Sequence, residues 1–441
     1  MARRPRPLSL LLPVVACAIG TVQADEPLQF ALRAGSHYTD NVNRTATDEV
    51  SSTGASAGVA IGGQDQTGPL QYALFGDANY QRLDNASTGK ELRGRAAGIS
   101  TYEFVPETFQ WTLAGLFTQM RADLLQADSV DNRENVVTLA TGPSFTSHVH
   151  GAYAIQANAR YTATDYSERD LDNSTGGGEL LFGRDQPHEG FVGIGGGYFD
   201  VKFKDHVDPE ALDYTRREAF VRTRLRGAKT TLSLDAGYAR VESGNQEADG
   251  PIVRLDLTRG LGHYLNGTIT YSNDFPITQS SNFHPTTNVA PDESQLTAGP
   301  RQTQTMGVYF NFRKPRTSFD AGYYHSNEEA QLGLTGKRET NQARTSVSRW
   351  VSARSELELY GNWSDEDLKD VNVQSSETAF GLQLDMAFGR KMGFYALVEH
   401  RDRDSTIPTS RYKELAVSLY VRYGRVDPSL AEGGATAPLA P

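Results

Sequence analysis

Residues 414–423 read ELAVSLYVRY. Leu415, Val417, Leu419, Val421 and Tyr423 occupy one parity, and Glu414, Ala416, Ser418, Tyr420 and Arg422 the other. Side chains along a strand point to opposite faces with period two, so this stretch is a strand with one greasy face and one wet face. The same alternation recurs through most of the chain. Leu70, Tyr72, Leu74, Gly76, Ala78 and Tyr80 alternate with Gln71, Asp77 and Asn79; Met306, Val308, Phe310 and Phe312 alternate with Gly307, Tyr309 and Asn311. Phe380, Leu382, Leu384, Met386 and Phe388 alternate with Gly381, Gln383, Asp385 and Ala387. Soluble sandwiches share the alternation but have shorter strands and no regular rhythm of short and long connections. From Leu28 to Tyr423 the pattern predicts an all-β, transmembrane, antiparallel up-and-down β-barrel of about 20 strands (18–20).

Mean hydropathy of −0.50 is too polar for a protein crossing a membrane with helices of about 20 apolar residues. A barrel needs apolar side chains only at alternate positions, so the value is compatible with it. Gly 42, Tyr 20 and Phe 19 against Met 5 suit strands and turns. At the N-terminus, Arg3, Arg4 and Arg6 precede the apolar run 8–20, and Val22-Gln23-Ala24 supplies small residues for cleavage. Residues 1–24 therefore read as a secretory signal peptide, which directs the chain to the outer membrane of a Gram-negative cell. Cys17, the sole cysteine, sits in a sequence like a lipoprotein cleavage box, but Ala18-Ile19-Gly20 continues the apolar run past it. Residues 25–424 form the barrel, and the Gly/Ala/Pro-rich segment 425–441 reads as a disordered periplasmic tail. No plug domain precedes Leu28, which argues against an energy-coupled plugged receptor.

Short turns are expected at Val105-Pro106, His148-Val149-His150, Gly227-Ala228, Lys314-Pro315, Trp350-Val351 and Gly389-Arg390. Longer polar loops are expected at Asp40–Ser51, Ala122–Asn132, Asp205–Asp213, Asn327–Gly336 and Asp365–Asp370. Known bacterial barrels put short turns in the periplasm and long loops outside. The turns carry basic residues (Arg226, Lys229, Arg313, Lys314, Arg316) and the loops acidic ones (Asp205, Asp208, Asp213, Asp365, Glu366, Asp367). The longest connection, from about Asn273 to Arg301, holds Phe275, Pro276 and Phe283 and is too apolar for a simple tether. It either folds into the lumen or caps the outer mouth.

Chemistry-bearing patterns are sparse. The sequence holds no Gly-x-Ser-x-Gly turn, no His-Glu-x-x-His and no cysteine metal framework, so neither an enzyme nor a metal or cofactor site is expected. Asp365-Glu366-Asp367-Leu368-Lys369-Asp370 lacks the glycine and terminal glutamate of a helix-loop-helix calcium site and reads as a solvated acidic loop. Net charge of −11 argues against a nucleic-acid partner. A charge on the lipid face costs about 2–4 kcal/mol at mid-bilayer, so strand charges should point inward. Parity assigns Arg93, Arg95, Arg160, Arg222, Arg224, Arg254, Arg344, Glu358, Asp385 and Tyr309 to the lumen. They either pair across the wall and stiffen it, or guide an acidic polymer.

Phe30-Ala-Leu-Arg-Ala-Gly-Ser-His-Tyr38-Thr-Asp40-Asn41-Val42-Asn-Arg-Thr45 resembles the opening of the β-barrel porins encoded beside bacterial exopolysaccharide assembly and export genes. Those begin with a strand ending in an aromatic, followed by an Asp-Asn pair in the first outer loop. The resemblance implies an outer-membrane protein that passes polysaccharide to the cell surface. Its partners would be outer-membrane lipid and lipopolysaccharide, the polysaccharide, and periplasmic or inner-membrane export machinery. The competing expectations are a non-conducting structural barrel and a general diffusion porin for small solutes.

Overall fold

The computed structural model describes residues 28–85, 90–123, 125–127, 132–149, 151–186, 190–205, 212–276, 300–332, 336–389 and 391–425. The segments read as signal peptide and as C-terminal tail lie outside them, apart from Arg425 at the end of the last strand.

Twenty strands run antiparallel in chain order and close into one sheet. They are β1 Gln29–Thr39, β2 Ser52–Asp65, β3 Leu70–Leu83, β4 Lys90–Val105, β5 Phe109–Arg121, β6 Arg133–Val149, β7 Tyr153–Tyr166, β8 Asn173–Gln186, β9 Gly190–Phe203 and β10 Tyr214–Arg226. The second half comprises β11 Thr230–Ser243, β12 Gln246–Gly260, β13 Leu265–Asp274, β14 Arg301–Lys314, β15 Thr317–Ala330, β16 Lys337–Ser352, β17 Ser355–Leu368, β18 Val373–Ala387, β19 Met392–Ser405 and β20 Tyr412–Arg425. The seam is the pairing of β1 with β20, from Phe30↔Arg425 to Thr39↔Ala416. Every strand is thus paired on both sides, and no edge is left with unsatisfied backbone groups. With strands about 4.8 Å apart and tilted about 40°, a circular barrel of this count measures about 40 Å between opposing backbones.

The outer face explains why the sheet closes around its polar side. Phe380 is 59% exposed, and Leu180, Ile194, Val221, Leu359 and Leu419 stand out likewise. Outward aromatics mark two levels. Towards the long-loop end stand Tyr38, Tyr80, Tyr161, Tyr198, Tyr238 and Trp363; towards the short-turn end stand Tyr102, Phe104, Tyr153 and Tyr264. The lower set clusters: Tyr102 meets Phe104 at 4.8 Å, Tyr153 stacks on Phe182 at 5.9 Å, and Lys314 Nζ lies 5.6 Å above the Tyr264 ring. From Tyr153 to Tyr161 along a tilted strand is a rise of about 20 Å, close to the apolar band of a transmembrane barrel. The strands continue past the upper aromatics, and the outward residues there turn charged, as with Lys202, Arg217 and Arg240.

That overhang corrects several expectations. Asp365, Glu366 and Asp367 are not in a loop; they extend β17 beyond Trp363, and the connection is residues 369–372. Asn327–Ala330 likewise belongs to β15. Charged, water-facing strand ends carry the composition of a loop, and sequence alone does not separate the two. The turn expected at Trp350-Val351 is strand, kinked by an irregular register between Trp350 and Ser352, and the reversal falls at residues 353–354. His148 and Val149 end β6. The short/long rhythm also breaks twice on the long-loop side, since residues 369–372 form a connection no longer than the turn 66–69, and a tighter reversal follows β11. Gly244-Asn245 joins β11 to β12 as a two-residue hairpin with Gly244 at φ 56, the conformation such a turn demands at its first central residue.

Candidate functional site: the inner wall and its closed end

The inner wall is not uniformly wet. On β5 to β12 inward residues build an apolar cluster that includes Met120, Val136, Leu181, Phe203, Phe220 and Ile252. Most of it lies towards the long-loop end. Two connections complete it from outside the sheet, Phe275 at the start of the longest one and Leu332 between β15 and β16. Pro300 and Arg301, at the far end of the longest connection, are also buried. Phe275, at the start of that connection, therefore turns into the barrel, while residues 277–299 lie outside the described part.

Interleaved with this cluster runs a chain of buried charge. Arg216, 1% exposed, donates to Asp274 Oδ1 at 2.8 Å, to the Phe275 carbonyl at 2.5 Å and to Glu218. Arg254 donates to Asp274 at 2.7 Å and to Glu218 at 2.7 Å. Arg222 holds Asp235 through two parallel bonds of 2.8 and 2.7 Å and reaches Glu179 at 3.4 Å. Forked arginine–carboxylate pairs fix geometry as well as charge. Breaking one costs about 3–5 kcal/mol, because the partner is left buried and unpaired.

A second cluster crosses the mouth. Arg121 at the end of β5 reaches Glu366 on β17 at 3.3 Å, and Arg338 on β16 binds the other oxygen of the same carboxylate at 2.6 Å. Strands β5 and β17 are far apart around the ring, so a direct ion pair between them means the walls converge at the long-loop end. Ser410, in the short helical turn Pro408–Ser410 before β20, donates to the Leu125 carbonyl in the connection between β5 and β6. Leu332 crosses in the same sense. Among the described residues, these side chains bridge the long-loop end. Nearby, the exposed Lys369 ammonium is held above its ordinary pKa by the hydrogen bond it gives Asp367.

The ten residues singled out from sequence all share the parity opposite to the exposed apolar set of their strands, but they divide by environment. Arg222 and Arg254 are locked in the buried chain just described. Arg93 is tied to Glu91 at 2.7 Å, and Asp385 accepts two bonds from Arg422 at 3.0 and 3.2 Å. Arg95 lies over the Phe75 ring at 5.3 Å and pairs in register with Asp77. Arg95, Arg160, Arg224 and Arg344 are exposed, while Glu358 and Tyr309 are half-buried. Sequence reasoning missed Arg216 and Glu218, although both continue the parity of Arg222 on β10. It also missed Arg121, Arg338 and the pairing of Glu366, for which no local signal exists.

The Asp-Asn pair of the first loop has a structural explanation. Asn41 is fully buried; its amide donates to the carbonyls of Thr45 (2.8 Å) and Lys413 (2.9 Å) and accepts from the Thr45 N–H (3.1 Å). Asp40 accepts the Leu415 N–H at 2.7 Å, and Arg44 binds Glu414 at 2.8 Å. These residues pin the first loop to the start of β20 and lock the seam.

No family model matches the chain, and no curated protein matches it in sequence. Solved structures do match in shape. The siderophore receptor PirA from Acinetobacter baumannii aligns over 92% of this chain and 81% of its own, with 9% identity and a TM-score of 0.50. A mutant of the ferric enterobactin receptor PfeA from Pseudomonas aeruginosa aligns over the same shares with the same identity and score. At such identity the likeness speaks for the fold alone. The chain is a closed, 20-stranded transmembrane β-barrel.

Proposed function

We propose that this protein is an outer-membrane transport barrel that passes an acidic exopolysaccharide from the periplasm to the cell surface. The observation that carries the reading is the contrast between the two halves of the inner wall: bridged by ion pairs at the long-loop end, with Arg344 at mid-height and Arg224 below it exposed. A barrel of this size enclosing such a wall holds water, and its open half faces the compartment from which an exported polymer arrives. Support also comes from the first-strand and first-loop residues 30–45, which resemble those of barrels encoded with exopolysaccharide genes. No nucleotide-binding motif is present in the sequence, so the driving force comes from export machinery on the periplasmic side.

Deletion of the gene tests this reading. Loss of surface polysaccharide with accumulation in the periplasm, restored by complementation, is expected. Unchanged surface polymer in cells whose wild-type parent assembles the barrel overturns it. The bridged mouth gives the second reading, a structural barrel that anchors surface polymer without conducting, some weight. Planar-bilayer recording separates the two. Under the transport reading, Glu366→Gln combined with Arg121→Ala converts a nearly silent barrel into a conducting one; under the structural reading it stays silent.

A further inference from the structure

On β14 to β20 the inner wall carries tyrosines in an unusual posture. The Tyr309 ring lies against Gly322 and Gly307: a Cβ at 322 would fall 2.7 Å from Tyr309 Cδ1, and one at 307 would fall 2.7 Å from its Cε2. Tyr420 covers Gly35 in the same way, at 2.6 Å, and Tyr360 covers Gly381. Gly322, Gly35 and Gly381 stand in register with Tyr309, Tyr420 and Tyr360 on the inward face of the neighbouring strand, and Gly307 shares that face on Tyr309's own strand, so each ring leans over a glycine and along the wall. Hydroxyl groups fasten two of these side chains. Tyr360 donates to Glu399, and Tyr395, 5.8 Å from the Tyr420 ring, donates to Gln383 at 3.0 Å. All four tyrosines are half-buried and lie in the short-turn half of their strands, below the bridged end.

What such a surface recognises follows from its chemistry. A flat aromatic face is negative and attracts the slightly positive C–H groups of an apolar ring face. Because the rings are already fixed, little side-chain entropy is lost on binding. Beside them stand Glu358, whose charge disfavours a densely anionic chain, and Asn362, whose amide suits hydroxyl groups, while Asp385 is held by Arg422 and the Gln383 oxygen by Tyr395. Arg344 stands in register with Gly322 and Asn362, beside Tyr309, with its side chain exposed. Nucleic acid or polyphosphate needs cations at every repeat. A polyhydroxylated ring polymer with sparse acidic groups needs this mixture.

We infer that the short-turn half of the wall from β14 to β20 is a saccharide-binding track, in which Tyr309, Tyr360 and Tyr420 stack on sugar rings and Arg344 takes a carboxylate. This rests on the export reading and names the site and the ligand class for it. The test is calorimetric titration of the purified full-length barrel in detergent with two probes, hexamannuronate (acidic) and maltohexaose (neutral). Wild type is expected to bind both, the acidic probe at least tenfold more tightly. Tyr309→Ala with Tyr360→Ala is expected to weaken both probes at least tenfold, whereas Phe at the same positions stays within about twofold, because the face and not the hydroxyl is used. Arg344→Gln is expected to remove only the preference for the acidic probe. Heat-modifiable migration on gels verifies that each variant is folded. Absence of binding by wild type, or Ala variants that bind like wild type, overturns the track. The result is independent of the deletion phenotype: sugar binding with unchanged surface polymer refutes export and keeps the track, and the reverse refutes the track alone.

Discussion

Asn41 shows how much one side chain can hold. Its amide serves three backbone groups at a place where the first loop, β1 and β20 meet, and it has no access to water. Removing it strands the Thr45 N–H and the Lys413 carbonyl, each at about 1–3 kcal/mol. Asn41→Ala is therefore expected to destabilise the barrel by about 2–4 kcal/mol in urea titrations in detergent or lipid, on the same footing. A loss below about 0.5 kcal/mol, the range of an ordinary surface change, would show that the seam is held elsewhere. The motif was visible in the sequence, but its role was not. Asp40 and Asn41 look like loop residues free to meet a ligand, and only the return of β20 to β1 shows that they are consumed in closing the wall.

At the scale of the strand, parity alone decides which solvent a residue meets. Phe380 and Gln383, on one strand and near mid-height, are expected to respond oppositely to the same change. Phe380→Arg puts a charge in lipid at about 2–4 kcal/mol, whereas Gln383→Arg meets the lumen at little cost. Equal effects in folding titrations into lipid vesicles would mean that the faces are misassigned. Elements were legible because alternation is local. Their ends were less so: the overhang beyond Trp363 has no lipid to demand apolar residues, so Asp365 to Asp367 read as a loop. Parity also cannot say what an inward residue touches. Phe220 and Arg222 share a face of β10, yet one enters the apolar cluster and the other the ion chain. Close packing of ring on wall is likewise specified element by element. Gly381→Val forces the Tyr360 ring off the sheet and is expected to cost about 1–3 kcal/mol, read as a lowered temperature of heat modification.

Across the whole molecule, the features that sequence could not supply are those joining strands far apart in the ring. Arg121, Arg338 and Glu366 lie on β5, β16 and β17, and nothing in any one segment pairs them. Together with Phe275 and Leu332 they draw opposite walls together at one end. All of these features presuppose a wall with oil on one side and water on the other. Thiol labelling in native membranes measures this directly, with single cysteines at Phe380 and Arg344 in a chain whose own Cys17 is replaced. A charged maleimide admitted to both sides of the membrane is predicted to modify Arg344→Cys within minutes and leave Phe380→Cys untouched, while a lipid-soluble maleimide modifies both. Rapid modification of Phe380→Cys by the charged reagent, or protection of Arg344→Cys from it, would contradict the two-solvent wall.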